Sequence, residues 1–180
     1  MGAGAKLDQA AIVTAAFEVL TAVGLDGLSL RLVADQLGVQ APALYWHVRD
    51  KAELISLMAA TFSQTPGRGD LTGNTWREKL LESARAQRQA MLKLRDSARV
   101  CVVARPLGAV AEVRPQLTTA LLAAGLTSRQ ALAYQAAVSA YTLGWVAYEQ
   151  SRGLQAVLTQ PGDLEYGFEA GLRAMVNGFA

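Results

Sequence analysis

Tyr45, Trp46 and His47 stand side by side, with Lys51 four residues after His47 and Arg31 upstream. Two aromatic rings, an imidazole and nearby cations suit contact with nucleic acid: cations grip phosphates, and side-chain donors or methyl groups read base edges. Trp46 reads equally as a plain core residue. The same residues serve catalysis poorly. His47 is the single histidine and Cys101 the single cysteine, and no second metal ligand lies near either one. A thiol nucleophile needs a neighbouring base, and the one imidazole is committed elsewhere. Cys101 reads as a structural thiol. Acidic residues are scattered, with no pair set in an apolar frame. The chain reads as no enzyme, with no cofactor and no metal.

These side chains need an element to hold them. Leu30, Val33, Ala34 and Leu37 recur at i, i+3, i+4 and i+7, which marks one apolar helix face. Ser29 precedes the run as an N-cap, and Gly38 ends it in the left-handed conformation. Val39 plugs the turn. Pro42 falls in the first turn of a second short helix over 41–47, where its missing N–H costs nothing. Leu44 and Val48 hold that helix to the core, so Ala41, Ala43, Tyr45, Trp46 and His47 point elsewhere. Asp50 and Glu53 have capping-box spacing for the next helix, which Lys51 begins. Two helices joined by a tight glycine turn form a helix-turn-helix, whose second helix fits the DNA major groove. The plain alternative is a helical hairpin.

The rest reads as helices without a β signal. Spans are expected over 7–23, stopped by Gly24, then 29–37, 41–47 and 51–63. Longer ones follow over 75–94 and 128–150, with shorter ones at 98–104, 109–124 and 164–179. The segment 63–74, SQTPGRGDLTGN, is the one long loop. It places the domain boundary, giving 1–62 and 63–180. With 180 residues, 52% of them apolar, the second part can bury a sizeable core.

Net charge is +2. Residues 1–60 carry −2 and residues 61–180 carry +4. A bulk basic footprint is therefore missing from the proposed DNA-binding part. Three of its four cations, Arg31, Arg49 and Lys51, are nevertheless clustered. A single cysteine excludes internal disulfides and fits a reducing cytoplasm. No signal peptide is expected, because no apolar run follows Lys6. Residues 130–148 are uncharged and long enough to raise a membrane span, but polar side chains on every face argue for a buried bundle helix.

The motif ALYWHVRDKAEL, residues 43–54, closely resembles the DNA-binding domain of the TetR family of transcriptional regulators, and LYWHV is similar to its tetracycline-repressor branch. TWREKLLESARAQRQAMLKLRDSARVCVVARP (75–106), AVSAYTLGWVAYEQ (137–150) and FEAGLRAMVNGF (168–179) resemble successive parts of that branch's ligand-binding domain. The resemblance implies an all-α protein: an N-terminal three-helix helix-turn-helix domain followed by a helical ligand-binding and dimerisation domain. It implies phosphate contacts from Tyr45 and Lys51, a base contact from Arg31, and packing of Trp46 and His47 on backbone and bases. Ala41 and Ala43 flank Pro42 where the branch carries polar base readers. A methyl group can touch thymine but cannot hydrogen-bond a base.

The positions that hold tetracycline in the branch map onto Pro66, Ser83, Gln87, Cys101, Ala104, Ala140 and Tyr148, and Gln116 keeps its counterpart if one gap is allowed. The branch's histidines, asparagine and phenylalanine are absent from these positions. With Tyr141 and Trp145 added, the set still reads as a ligand pocket of apolar bodies and a few polar tips. The plain alternative is ordinary core. The expected function is a cytoplasmic homodimeric repressor that binds a palindromic operator in double-stranded DNA. A small-molecule effector other than tetracycline releases it. The alternative is a helical ligand-binding or interaction protein with a degenerate helix-turn-helix. Gly144, Ala147, Gly167, Gly171 and Ala174 are small enough for close helix contact across a dimer, and residues 96–104 are expected to carry the switch.

Overall fold

The computed structural model describes residues 7–64, 71–104, 115–151 and 162–180. Among the described residues there are nine helices and no strand: α1 (Gln9–Gly27), α2 (Leu30–Leu37), α3 (Ala41–Leu44), α4 (Lys51–Gln64), α5 (Trp76–Leu92), α6 (Ser97–Val103), α7 (Pro115–Ala123), α8 (Ser128–Gln150) and α9 (Asp163–Asn177). Pro66, the expected break at Arg105-Pro106, the expected helix start at 109, and 152–161 lie outside the described residues.

The N-terminal part folds as its capping residues dictate. Asp8 accepts the Ala11 N–H at 2.9 Å and starts α1. Gly24 bends the end of that helix at φ +75°, and a Cβ there would lie 2.9 Å from the Arg95 guanidinium. Ser29 caps α2, accepting from Leu32 N, and Gly38 ends it at φ +67°. α3 is shorter than expected. Regular helix stops at Leu44, and Tyr45–His47 continue as a turn closed by Val48 N donating to Leu44 O at 2.9 Å.

Two apolar clusters hold the molecule. The first joins α1–α4, with Ile12, Leu20, Val33, Leu44, Val48, Leu54 and Met58 at its centre, and it also takes in Met91 of α5, Ala98 and Val100 of α6, and Val146 of α8. The second lies between α5, α7, α8 and α9, around Leu80, Ala84, Leu117, Leu121, Phe168 and Leu172. α6 and the ends of α5 and α8 thus share the core of the helix-turn-helix. Among the described residues, α1 is long and apolar enough to cross a membrane, but Ile12, Ala16 and Leu20 are fully buried within the protein. Thr127 and Thr75 each form a capping box, with Gln130 and Glu78, starting α8 and α5.

Candidate nucleic-acid interface and effector site

Leu44 and Val48 are buried, and the chain between them presents its rings outward. Trp46 is 90% exposed and Tyr45 57% exposed. The core reading of Trp46 is therefore wrong. Arg31 and Pro42 are exposed, while Ala41, Ala43 and His47 are half-buried, with Ala41 packed against the first cluster. An indole left in water at the tip of a motif pinned by two buried aliphatics is an unpartnered apolar surface. The Asp50 carboxylate accepts Glu53 N at 2.8 Å. The reciprocal bond expected from Glu53 back to Asp50 goes elsewhere: Glu53 Oε2 accepts Arg49 N at 2.7 Å and Arg49 Nε at 3.0 Å. The Arg49 backbone N–H, then its guanidinium, hold the Glu53 carboxyl below its ordinary range.

Behind this face lies a tight junction with α6. Lys51 Nζ donates to Leu25 O at 3.1 Å. Leu25 N donates to Asp96 Oδ2 at 2.9 Å. Arg99 grips the Asp26 carboxylate with both terminal nitrogens, at 2.8 and 3.2 Å. That hydrogen-bonded pairing holds the Asp26 carboxyl below its usual range. Asp96 itself sits at φ +56°, a left-handed conformation that costs a non-glycine residue free energy. The bond to Leu25 helps hold it there.

In the second part the expected pocket residues divide into groups. Ser83 is buried, and Gln87 Nε2 reaches Ser139 Oγ at 3.4 Å between α5 and α8. Tyr141 and Trp145 spend their polar tips on α9: the Tyr141 hydroxyl donates to Phe168 O at 3.0 Å, and Trp145 Nε1 to Leu164 O at 3.2 Å. Burial pushes the Tyr141 phenol up. Tyr148 leans on Trp145, ring centres 5.9 Å apart. Cys101 and Ala104 are half-buried and pack on the first cluster. Gln116 and Ala140 are exposed. The structure therefore brings Tyr141, Trp145 and Tyr148 together, sets Ser83 and Gln87 on the neighbouring helix, and leaves Ala140 on the outer face of α8.

Gly167 and Gly171 also have a different use from the one expected. A Cβ at Gly167 would lie 2.8 Å from the Trp145 ring, and one at Gly171 would strike the Tyr141 hydroxyl. Their smallness admits aromatic rings from α8 of the same chain.

A family model for bacterial regulatory proteins of the tetR family matches residues 12–58, and one for the tetracyclin repressor-like C-terminal domain matches 69–161. The chain belongs to the TetR family. It is a transcriptional regulator with a ligand-binding domain. It is 38% identical over 157 residues to the class A tetracycline repressor from transposon 1721 of Escherichia coli, covering 81% of this chain and 68% of that one. A TetR variant from Acinetobacter baumannii AYE, solved with minocycline, superposes with a TM-score of 0.80 at 32% identity, over 97% of both chains. ActR of Streptomyces coelicolor in complex with actinorhodin also superposes at 0.80, with 26% identity over 97% of this chain and 96% of that one.

Within this TetR-family frame, sequence reasoning missed an ionic cluster around a buried arginine. Arg88 is 8% exposed and binds Glu149 through two bonds, at 2.7 and 3.0 Å. It also binds Glu165, and it lies 4.7 Å from the centre of the Phe168 ring. Burial pulls the guanidinium down, but its bonds to Glu149 and Glu165 outweigh that and keep it charged. One buried carboxylate, Glu149, and one exposed carboxylate, Glu165, therefore share a buried cation. The signal for Arg88 was its position: one turn after Ala84 and three residues before Met91, both fully buried, on the inward face of α5. Glu149 and Glu165 are far apart in sequence, so their meeting needed the packing of α8 and α9.

Proposed function

We propose that this protein is a repressor. As a homodimer it binds a palindromic operator through residues 1–62, and a small molecule lodged in residues 63–180 releases it. The observation that carries this reading is the exposed Tyr45–Trp46 pair on a helix-turn-helix whose inner side is buried. Arg31, Tyr45, Trp46, His47 and Lys51 are the proposed DNA contacts, with Ala41, Pro42 and Ala43 lying along the groove. Soluble action in the cytoplasm accords with the single cysteine.

Release requires a ligand that binds the DNA-incompetent state more tightly. Moving a population from 1:99 to 99:1 takes about 5.5 kcal/mol of differential affinity. The junction of Asp96 and Arg99 with Leu25 and Asp26 supports α6 as the transmitting element, since Ser97 at its start is also bonded to Gln150 at the end of α8. The effector is proposed to differ from tetracycline, because Cys101 and Ala104 offer neither an imidazole nor a hydroxyl. Selection of a duplex by the purified protein, followed by titration of the complex, tests both claims. The panel sets tetracycline–magnesium beside aromatic natural products. Failure to retain any duplex refutes the repressor reading in favour of an interaction module. Release by micromolar tetracycline refutes the effector reading alone.

A further inference from the structure

Gln135, on α8, is 3% exposed, and its side-chain oxygen Oε1 has no hydrogen-bond partner among the described residues. Its amide nitrogen is fully engaged: Nε2 donates to Thr118 Oγ1 of α7 at 2.9 Å and to Ala131 O at 3.2 Å. The orientation of the amide follows from these bonds. Reversing it would set Oε1 against the Ala131 carbonyl, oxygen facing oxygen, and would leave two N–H donors stranded instead. Ala131 and Val138, four residues before and three after, are buried with Leu117 and Leu121 of α7 and Leu80 and Ala84 of α5. A lone carbonyl oxygen thus lies in the apolar junction of three helices. A buried acceptor without a partner is costly, and folded proteins rarely keep one without a use.

We propose that Gln135 Oε1 is the specificity-determining acceptor of the effector site, and that it selects a neutral, largely apolar aromatic molecule bearing a hydroxyl or N–H donor. The inference deepens the ligand-responsive reading above and rests on it. An apolar frame disfavours an ionised ligand, and an acceptor repels a carboxylate. Thr118, half-buried on α7, holds the amide nitrogen, so Gln135 lies at the contact of α7 with α8. The ring system takes the place of apolar contacts, and its donor satisfies the stranded oxygen. An analogue without the donor leaves that oxygen unpaired, and this asymmetry is how buried polar groups discriminate.

The test is calorimetric titration of the full-length protein with 2-naphthol and with 2-methoxynaphthalene, which keeps the ring and blocks the donor. The wild type should bind 2-naphthol about tenfold more tightly. Gln135→Met should shrink that gap to under about threefold while changing the unliganded melting temperature little, because losing the two Nε2 bonds is offset by removing a stranded polar atom. Gln135→Leu serves if the methionine variant does not fold. Equal affinities in the wild type, a gap that survives substitution, or no binding of 2-naphthol up to its solubility limit each overturn the proposal. Duplex binding is measured separately. A chain that prefers 2-naphthol through Gln135 yet retains no duplex would keep this site and lose the repressor reading.

Discussion

Lys51 and Arg31 carry the same sign but different tasks. Lys51 begins α4 and is tethered to Leu25 O, so its ammonium sits at the seam between the helix-turn-helix and the turn that α6 grips. A phosphate contact there neutralises one charge whatever the sequence. Lys51→Ala should weaken binding to every duplex alike and reduce the log–log salt slope by about one. Arg31 is exposed at the start of α2. Arg31→Ala should instead cost about 1–3 kcal/mol of discrimination at one base pair of a selected operator. Equal losses on all duplexes for both variants would mean that Arg31 only grips phosphate. Arg88 obeys another rule, because its partner Glu149 has a side chain only 8% exposed. Arg88→Met takes the cation away from that buried carboxylate and should cost about 3–5 kcal/mol of unfolding free energy. Adding Glu149→Leu should restore much of it, which denaturant melts of the single and double variants can check. Glu169 offers a pH readout. Arg85 holds its carboxyl below the ordinary range through two 2.6 Å bonds. A depressed folded-state value means the stabilisation is full above the unfolded value and is lost as pH falls below about 4. Between pH 6 and 3, the melting temperature of Glu169→Gln should therefore fall less than that of the wild type.

At the scale of elements, α6 decides how the two ends of the molecule communicate. It is seven residues long, packs its Ala98 and Val100 into the first cluster, and is held at its N-terminus by Asp96 in a left-handed conformation. Asp96→Ala removes the acceptor for Leu25 N and keeps the unfavourable φ. It should cost about 1–3 kcal/mol and weaken effector-driven release more than it weakens effector binding. Asp96→Asn tolerates the same backbone and can still accept a hydrogen bond, so it should behave closer to wild type. Parallel release and binding titrations separate the two effects, and equal losses in both would rule out a transmitting role. Helix positions were legible because their signals are local. Ser29 and Gly38 begin and end α2 by their own chemistry, Gly24 kinks α1 rather than ending it, and the apolar spacing of Leu30, Val33 and Ala34 needs no partner to be read. The Asp96–Leu25 bond, the Arg99–Asp26 pair and the stranded oxygen of Gln135 depend on residues 17 to 73 apart, and no periodicity encodes them. The same limit explains Gly167 and Gly171. Their small size was visible, but which neighbour required it was set by Trp145 and Tyr141 on another helix.

At the scale of the molecule, the proposed homodimer answers a limit of reading: one recognition helix contacts too few bases to find a genomic site. Two-fold pairing sets half-sites about 34–36 Å apart along the duplex. The outer face of α8 is the proposed seat of the second copy. Leu132 is 50% exposed, and Ala136, Ala140, Gly144 and Ala147 continue the same face in exposed positions, a turn apart. On α9, Tyr166 is 78% exposed, with Ala170 and Ala174 exposed at four-residue steps beyond it. Small residues in stripes on two adjacent helices allow the close approach of an isologous four-helix contact. A Cβ added at Gly144 meets no atom of the described residues within 4 Å, so a larger side chain there leaves their packing undisturbed. Gly144→Arg should therefore leave the melting of the isolated chain nearly unchanged apart from the stability lost with dimerisation. It should also shift the sedimenting species at micromolar concentration from dimer to monomer and abolish binding to a two-half-site duplex. Ala140→Glu, one turn earlier on the same face, should do the same. A wild-type protein that sediments as a monomer, or a Gly144→Arg variant that stays dimeric with operator binding intact, would place the interface elsewhere.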